Sequence, residues 1–161
     1  IEPDIFTLAK GLGGGIPIGA MLCKSHCAVF EPGDHASTFG GNPFVCGVAA
    51  TVCQTLMQEQ LINNVAARGT ELRSGLTAIA QQHPTLFAGV RGWGLINGLV
   101  LAADAPIKSI DVVKAAMAQG LLLVPAGPSV VRFVPPLIVT AEEVQAALAK
   151  LRSAILTLTD A

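Results

Sequence analysis

Ile5-Phe6-Thr7-Leu8-Ala9-Lys10-Gly11-Leu12-Gly13-Gly14-Gly15 decides how the fold of this chain is read. A short β-favouring run delivers a lysine directly into a stretch where four of five residues are glycine. A lysine at a strand end beside bare backbone suits a carbonyl cofactor. Imine formation requires an amine of suppressed charge, on a stem long enough to reach an aldehyde, with no side chains obstructing the approach. A phosphate-binding P-loop has the opposite order, its lysine following the glycines and preceding Ser or Thr. The dinucleotide fingerprint fails too, because Gly11-x-Gly13 is followed three residues later by Ile16, where a small residue is needed. A solvated lysine in a flexible glycine turn is the structural alternative.

Downstream, a short extended segment leads to His35-Ala36-Ser37-Thr38-Phe39-Gly40-Gly41-Asn42-Pro43. Hydroxyls and free N–H groups gathered before a helix can bind a phosphate, although plain capping chemistry explains the same residues. Asn42 suits the cap and Pro43 the first helical position. Phe44 to Glu59 then runs through Val45, Val48, Val52 and Leu56 at helical spacing. A second helix, through Leu61, Val65, Leu72, Leu76 and Ile79, is expected to reach the break at His83-Pro84.

After that break the pattern alternates. Leu86–Arg91 and Leu95–Leu101 read as strands joined at Gly92-Trp93-Gly94, with Trp93 expected as a packed turn aromatic. Ser109 with Asp111 opens a short helix that Gly120 ends. Leu121–Val124 and Val130–Val134 read as two further strands, and Thr140-Ala141-Glu142-Glu143 is a capping box for the last helix. The expected product is a small sheet covered by helices on one face. Arg132 lies on the otherwise apolar Val130–Val134 strand, so it faces solvent, an ion pair or a bound carboxylate. An exposed edge strand is the simplest of these readings.

Composition sets further bounds. The 161 residues include 10 Lys+Arg against 11 Asp+Glu, a net charge of −1 without a basic cluster, which argues against a nucleic-acid or anionic-membrane surface. Apolar runs stop far short of the roughly 18 residues of a membrane helix. Charged residues make up 13%, half the usual share of about 25%, and 52% of residues are apolar. We expect surface that another domain or subunit covers. The four cysteines, Cys23, Cys27, Cys46 and Cys53, are expected as free buried thiols in a reducing compartment. Cys23, His26 and Cys27 match no common zinc spacing, and neither a serine-hydrolase elbow nor a zinc-protease helix motif occurs.

Three motifs together resemble the class III pyridoxal-phosphate aminotransferases: Pro3 to Gly19 around Lys10, then Ser37-Thr38-Phe39-Gly40-Gly41-Asn42-Pro43, then Val131-Arg132-Phe133-Val134-Pro135-Pro136-Leu137. The resemblance runs colinearly over essentially the whole chain. Leu121 to Gly127 is similar to the branch whose amino donor is N-acetylornithine, with the ornithine, succinylornithine and 4-aminobutyrate branches as alternatives.

The resemblance implies an α/β fold, fold type I of the pyridoxal-phosphate transferases. Residues 1–60 would end the large cofactor domain, 61–84 would form a connecting helix, and 85–161 a small α+β C-terminal domain. It implies that Lys10 binds pyridoxal 5'-phosphate covalently and moves the proton. Thr38 would hold the cofactor phosphate across a homodimer interface, and Ser37 would contact the acylamino substrate. Arg132 would hold a carboxylate of N-acetylornithine or of 2-oxoglutarate. A cytoplasmic enzyme of amino-acid biosynthesis is implied. The family's main phosphate loop, ring-stacking aromatic and pyridinium-pairing aspartate have no counterpart in the chain. Together with an Ile at position 1, this gives the expectation of a C-terminal fragment that is inactive alone. A non-catalytic assembly module is the alternative of a different class.

Overall fold

The computed structural model describes residues 1–58 and 60–159. The chain divides into two compact units, Ile1–Gln60 and Leu61–Ala161.

In the first unit, β1 (Ile5–Leu8) pairs antiparallel with β2 (Ala20–Cys23), in register from Ile5 opposite Cys23 to Leu8 opposite Ala20. The glycine run between them forms a 3-10 turn, Lys10–Gly13, closed by the left-handed Gly14. Helix α1 (Pro43–Gln58) follows the second glycine loop and packs against that turn. Its start matches the sequence signal: the Asn42 side-chain carbonyl accepts the Val45 N–H at 3.0 Å, and its amide donates to Phe39 O at 2.8 Å. Glu59, expected as the last helical residue, lies outside the described residues. Little is buried in this unit: on α1 only Ala49 is.

The second unit is built differently. Helix α2 (Leu61–Gln82), the hairpin β3 (Phe87–Trp93) and β4 (Ile96–Leu101), helix α3 (Ser109–Ala118), β5 (Val124–Pro125), β6 (Val130–Phe133) and α4 (Ala141–Thr159) follow in order. The strands form an antiparallel sheet ordered β3-β4-β6-β5. Alternation sends Leu99, Leu101, Val131 and Phe133 to one face. There they join Leu72, Leu76 and Ile79 of α2, Val112 of α3, and Leu148, Leu151 and Ile155 of α4 in one core. The helix expected to connect two domains thus contributes a full face to this core.

Close approach fixes the α2 packing, because a Cβ at Gly69 would overlap the backbone of Gly94 in the β3–β4 turn. Asn64 then ties the start of α2 to the loop after β6, donating to Leu137 O at 2.8 Å and Val139 O at 3.0 Å.

Several local expectations are corrected. The hairpin turn sits two residues later than read, so Trp93 ends β3 and is 89% exposed rather than packed. Leu121–Leu123 is irregular, and β5 is reduced to Val124–Pro125. Ser109 with Asp111 does open α3 as read: Asp111 accepts the Lys108 N–H at 2.8 Å, and the buried Ser109 hydroxyl donates to Gly127 O at 2.6 Å. The box before α4 forms as expected, with Glu143 accepting the Thr140 N–H at 2.8 Å and Thr140 Oγ1 accepting the Glu143 N–H at 3.2 Å. The cysteines are free but not buried; Cys23, Cys46 and Cys53 are exposed because β2 and α1 turn those faces toward no described residue.

Candidate active site

Lys10 stands two residues beyond the end of β1, opens the 3-10 turn and is exposed. Its backbone φ of 55° lies in the left-handed region, which disfavours a residue carrying a Cβ by about 1–2 kcal/mol. Strain of this kind persists only where surrounding structure enforces it, and it concentrates at functional positions. The enforcement is local: Leu12 N donates to Ala9 O and Gly14 N to Gly11 O, both at 3.1 Å, with α1 behind the turn. The Lys10 amine has no ion-pair or hydrogen-bond partner among the described residues. A Cβ placed at Gly11 or Gly15 would meet nothing within 4 Å, so the approach to the lysine is open.

Ser37 and Thr38 lie in the same unit, in the exposed loop ahead of α1. The Ser37 hydroxyl accepts the Gly40 N–H at 3.0 Å and so shapes the loop. The Thr38 hydroxyl has no partner among the described residues. No hydrogen bond joins Lys10 to either residue among those described.

Arg132 belongs to the second unit. The edge-strand reading is corrected, since β6 runs between β4 and β5, with Arg132 opposite both Gly98 and Val124. Its neighbours Val131 and Phe133 enter the core and Arg132 faces outward. Arg132 lines an open cavity of about 320 Å³ with Arg91, Gly98, Ala126 and Val130 among its walls. It also borders an apolar groove with Leu72, Leu123 and Val144. Arg91 was not singled out in the sequence; its strand was legible, but only cross-strand register places it in line with Arg132.

The family model described as aminotransferase class-III matches residues 1–155. The chain belongs to the class-III aminotransferases. A curated relative from Nostoc sp., acetylornithine aminotransferase, is 67% identical over 159 residues, 99% of this chain and 37% of that protein. The acetylornithine aminotransferase of Synechocystis sp. is 61% identical over 98% of this chain and 37% of its own length. The chain therefore spans less than two-fifths of the curated relatives it matches.

Among solved structures, N-acetylornithine aminotransferase from Stenotrophomonas maltophilia K279a superposes with a TM-score of 0.84 at 39% identity, over 99% of this chain and 41% of that one. An ornithine aminotransferase from Toxoplasma gondii, described with partial occupancy of PLP at its active site, gives 0.90 at 34% identity over 98% and 38%. The α/β class-III aminotransferase fold expected from the three motifs is the fold of these enzymes. No helix among the described residues is long and apolar enough to cross a membrane.

Proposed function

We propose that this chain carries the lysine-bearing portion of an acetylornithine aminotransferase, which moves the terminal amino group of N-acetylornithine to 2-oxoglutarate with pyridoxal phosphate. The observation that carries the reading is the 67% identity, over nearly all of the chain, to a protein of that name. The ornithine enzymes superpose with TM-scores of 0.90 and 0.91, above the 0.84 and 0.88 of the acetylornithine structures, so the reading rests on sequence identity and not on backbone likeness. The residues present fit the cofactor: an exposed lysine, unpaired among the described residues, stands in a glycine run where a Cβ at Gly11 or Gly15 would meet nothing within 4 Å.

Pyridoxal phosphate, when bound, supplies the electron sink that makes the substrate C–H bond acidic. The work of this chain is positional and protonic. Lys10 Nζ would hold the cofactor at its aldehyde carbon, with loss of water, and once displaced by the substrate's amino group would be free to accept and return the proton at the substrate carbon bearing that group. The flexible four-carbon stem permits both tasks from one backbone position. Thr38, with its free hydroxyl, donates to the cofactor phosphate in the partner subunit of a homodimer. Ser37 contacts the acylamino group. Arg132 holds a substrate carboxylate by paired N–H donors. The site operates in the cytoplasm.

Borohydride reduction of the polypeptide at the full length of its relatives, after incubation with pyridoxal phosphate, followed by mass mapping, tests this reading. Label on Lys10, with N-acetylornithine preferred over ornithine and 4-aminobutyrate as donor, is the expected result. An unlabelled Lys10 supports the non-catalytic assembly module instead.

A further inference from the structure

Lys10 keeps its left-handed backbone in a run whose own residues resist relaxation least. Glycine is the most pliable backbone a chain can offer, and glycine fills positions 11 and 13 to 15. The Leu12 N–H donates to Ala9 O across Lys10 and Gly11, so Lys10 occupies the first corner of that turn. A positive φ at such a corner ordinarily selects glycine, asparagine or aspartate. The bonds that follow, Gly14 N–H to Gly11 O at 3.1 Å and Ile16 N–H to Gly13 O at 3.0 Å, are equally local. A strained corner inside a pliable run persists only when both ends of the segment are held.

Both ends are held. On the near side, Leu8 stands opposite Ala20 in the β1–β2 ladder. On the far side, two side chains from different elements rest on backbone that lacks a Cβ. A Cβ on the buried Gly13 would come within 2.9 Å of Ile18 Cγ2, so Ile18, two residues ahead of β2, occupies that space. Gly14 follows at φ 58°, and a Cβ there would stand 3.3 Å from Val52 Cγ2. Val52 lies three residues beyond Ala49, the buried residue of α1, so the two share the helix face packed on the turn. Ile18 moves with the sheet and Val52 with the helix. Ala9 to Leu12 alone remain between the fixed ends, and the chain has to reverse within them.

We propose that Ile18 and Val52 are positioning residues for Lys10: through their Cγ2 methyls on Gly13 and Gly14 they hold the far end of the turn, and so fix the backbone from which the amine reaches the cofactor. The inference rests on the assignment of Lys10 as the cofactor-bearing lysine and adds what aims it. The amine has to serve two places in turn, the aldehyde carbon of the cofactor and the carbon of the substrate, from one backbone position. A wandering backbone lowers the fraction of time in which Nζ stands in reach of either.

The test uses the polypeptide at the full length of its relatives, loaded with pyridoxal phosphate. Ile18→Ala and Val52→Ala should each lower kcat by about 10- to 100-fold, the scale set by a small misplacement of a reacting group, with the KM for N-acetylornithine changed by less than about threefold. Ile18→Val and Val52→Ile keep the Cγ2 methyl and should restore kcat to within about threefold of the parent. Crystals of the alanine variants should show Lys10 at negative φ. Borohydride trapping at subsaturating pyridoxal phosphate should label their Lys10 less than that of the parent. Lys10 still near its φ of 55° in both alanine variants overturns the proposal. So does an equal loss of kcat in an alanine variant and its conservative counterpart, which would make these contacts ordinary packing. If Ile18→Ala does not fold, Val52→Ala decides alone, its side chain being only half-buried. A parent whose Lys10 takes no label sinks the cofactor assignment, and the Lys10 φ in the variant crystals then still upholds or overturns the positioning.

Discussion

The two units divide labour in opposite ways. Residues 1–60 hold the lysine and both hydroxyl candidates yet bury almost nothing, with Phe30, Phe39 and Phe44 all exposed. Residues 61–161 hold one anticipated site residue, Arg132, on a sheet whose other face is a closed core of Leu72, Leu76, Ile79, Leu99, Leu148, Leu151 and Ile155. A side chain that must meet a ligand needs an accessible backbone, while stability comes from buried apolar area. The first unit thus concentrates the candidate site residues on a scaffold with little packing of its own, and the second holds the buried core. Large apolar side chains are exposed on both units, but more densely on the shorter first one, as 81% exposure at Phe39 illustrates.

The comparison is sharpest at Lys10. Lys10→Gln, in the polypeptide at the full length of its relatives, should lower turnover by about 1,000-fold or more, because both the cofactor-binding amine and the general base are removed. Stability in urea should hardly move, since the side chain is exposed and unpartnered. A large loss of stability would make Lys10 structural and erase the contrast.

The reverse pattern is expected in the core. Leu76→Ala, at a fully buried position on α2, should cost about 2–5 kcal/mol in urea unfolding of the chain. Phe44→Ser, on the 70% exposed side of α1, should change it by about 0.5 kcal/mol or less. Equal costs would mean that the first unit has packing of its own that the exposed surface does not reveal.

Smaller effects sit at the start of α4. Thr140→Ala removes one half of a reciprocal capping pair and should cost about 1 kcal/mol by the same measurement. Glu142 gives the least. A hydrogen bond with its own backbone, then one with Thr140, then the charge of Arg68 hold its carboxyl below the ordinary 4.5. A depressed folded value stabilises the native state above the unfolded value, and this contribution is lost as pH falls below about 4.5. Glu142→Gln should therefore lower stability slightly near neutrality, where the contribution is full, and match the parent at acid pH, which flattens the acid limb. A steeper limb would contradict the hydrogen-bond origin of the shift.

Most of the helices were legible, and for local reasons. Asn42-Pro43 and Thr140 to Glu143 carry their own hydrogen-bonding instructions within one helical turn, and both starts form as their residues dictate. The weak strands were not legible. Leu121–Leu123 is as apolar as any strand, yet only Val124–Pro125 pairs with β6, because ladder hydrogen bonds depend on a partner distant in sequence. Ser109 shows both sides of this: α3 opens there as read, but the acceptor its hydroxyl takes, Gly127 O, lies 18 residues away.

By itself, the sequence singled out the candidate site residues: a lysine feeding four glycines, adjacent hydroxyls before a capped helix, and an arginine alone on an apolar strand. It also fixed the family, through motifs whose order and spacing survive without reference to a fold. Only the tertiary structure decided that Lys10 takes a left-handed backbone, that β6 is an interior strand, and that Arg91 and Arg132 share a row across Gly98. Side-chain type and helical period are properties of consecutive residues, whereas register and facing are set by long-range pairing and by which face of the sheet the core claims.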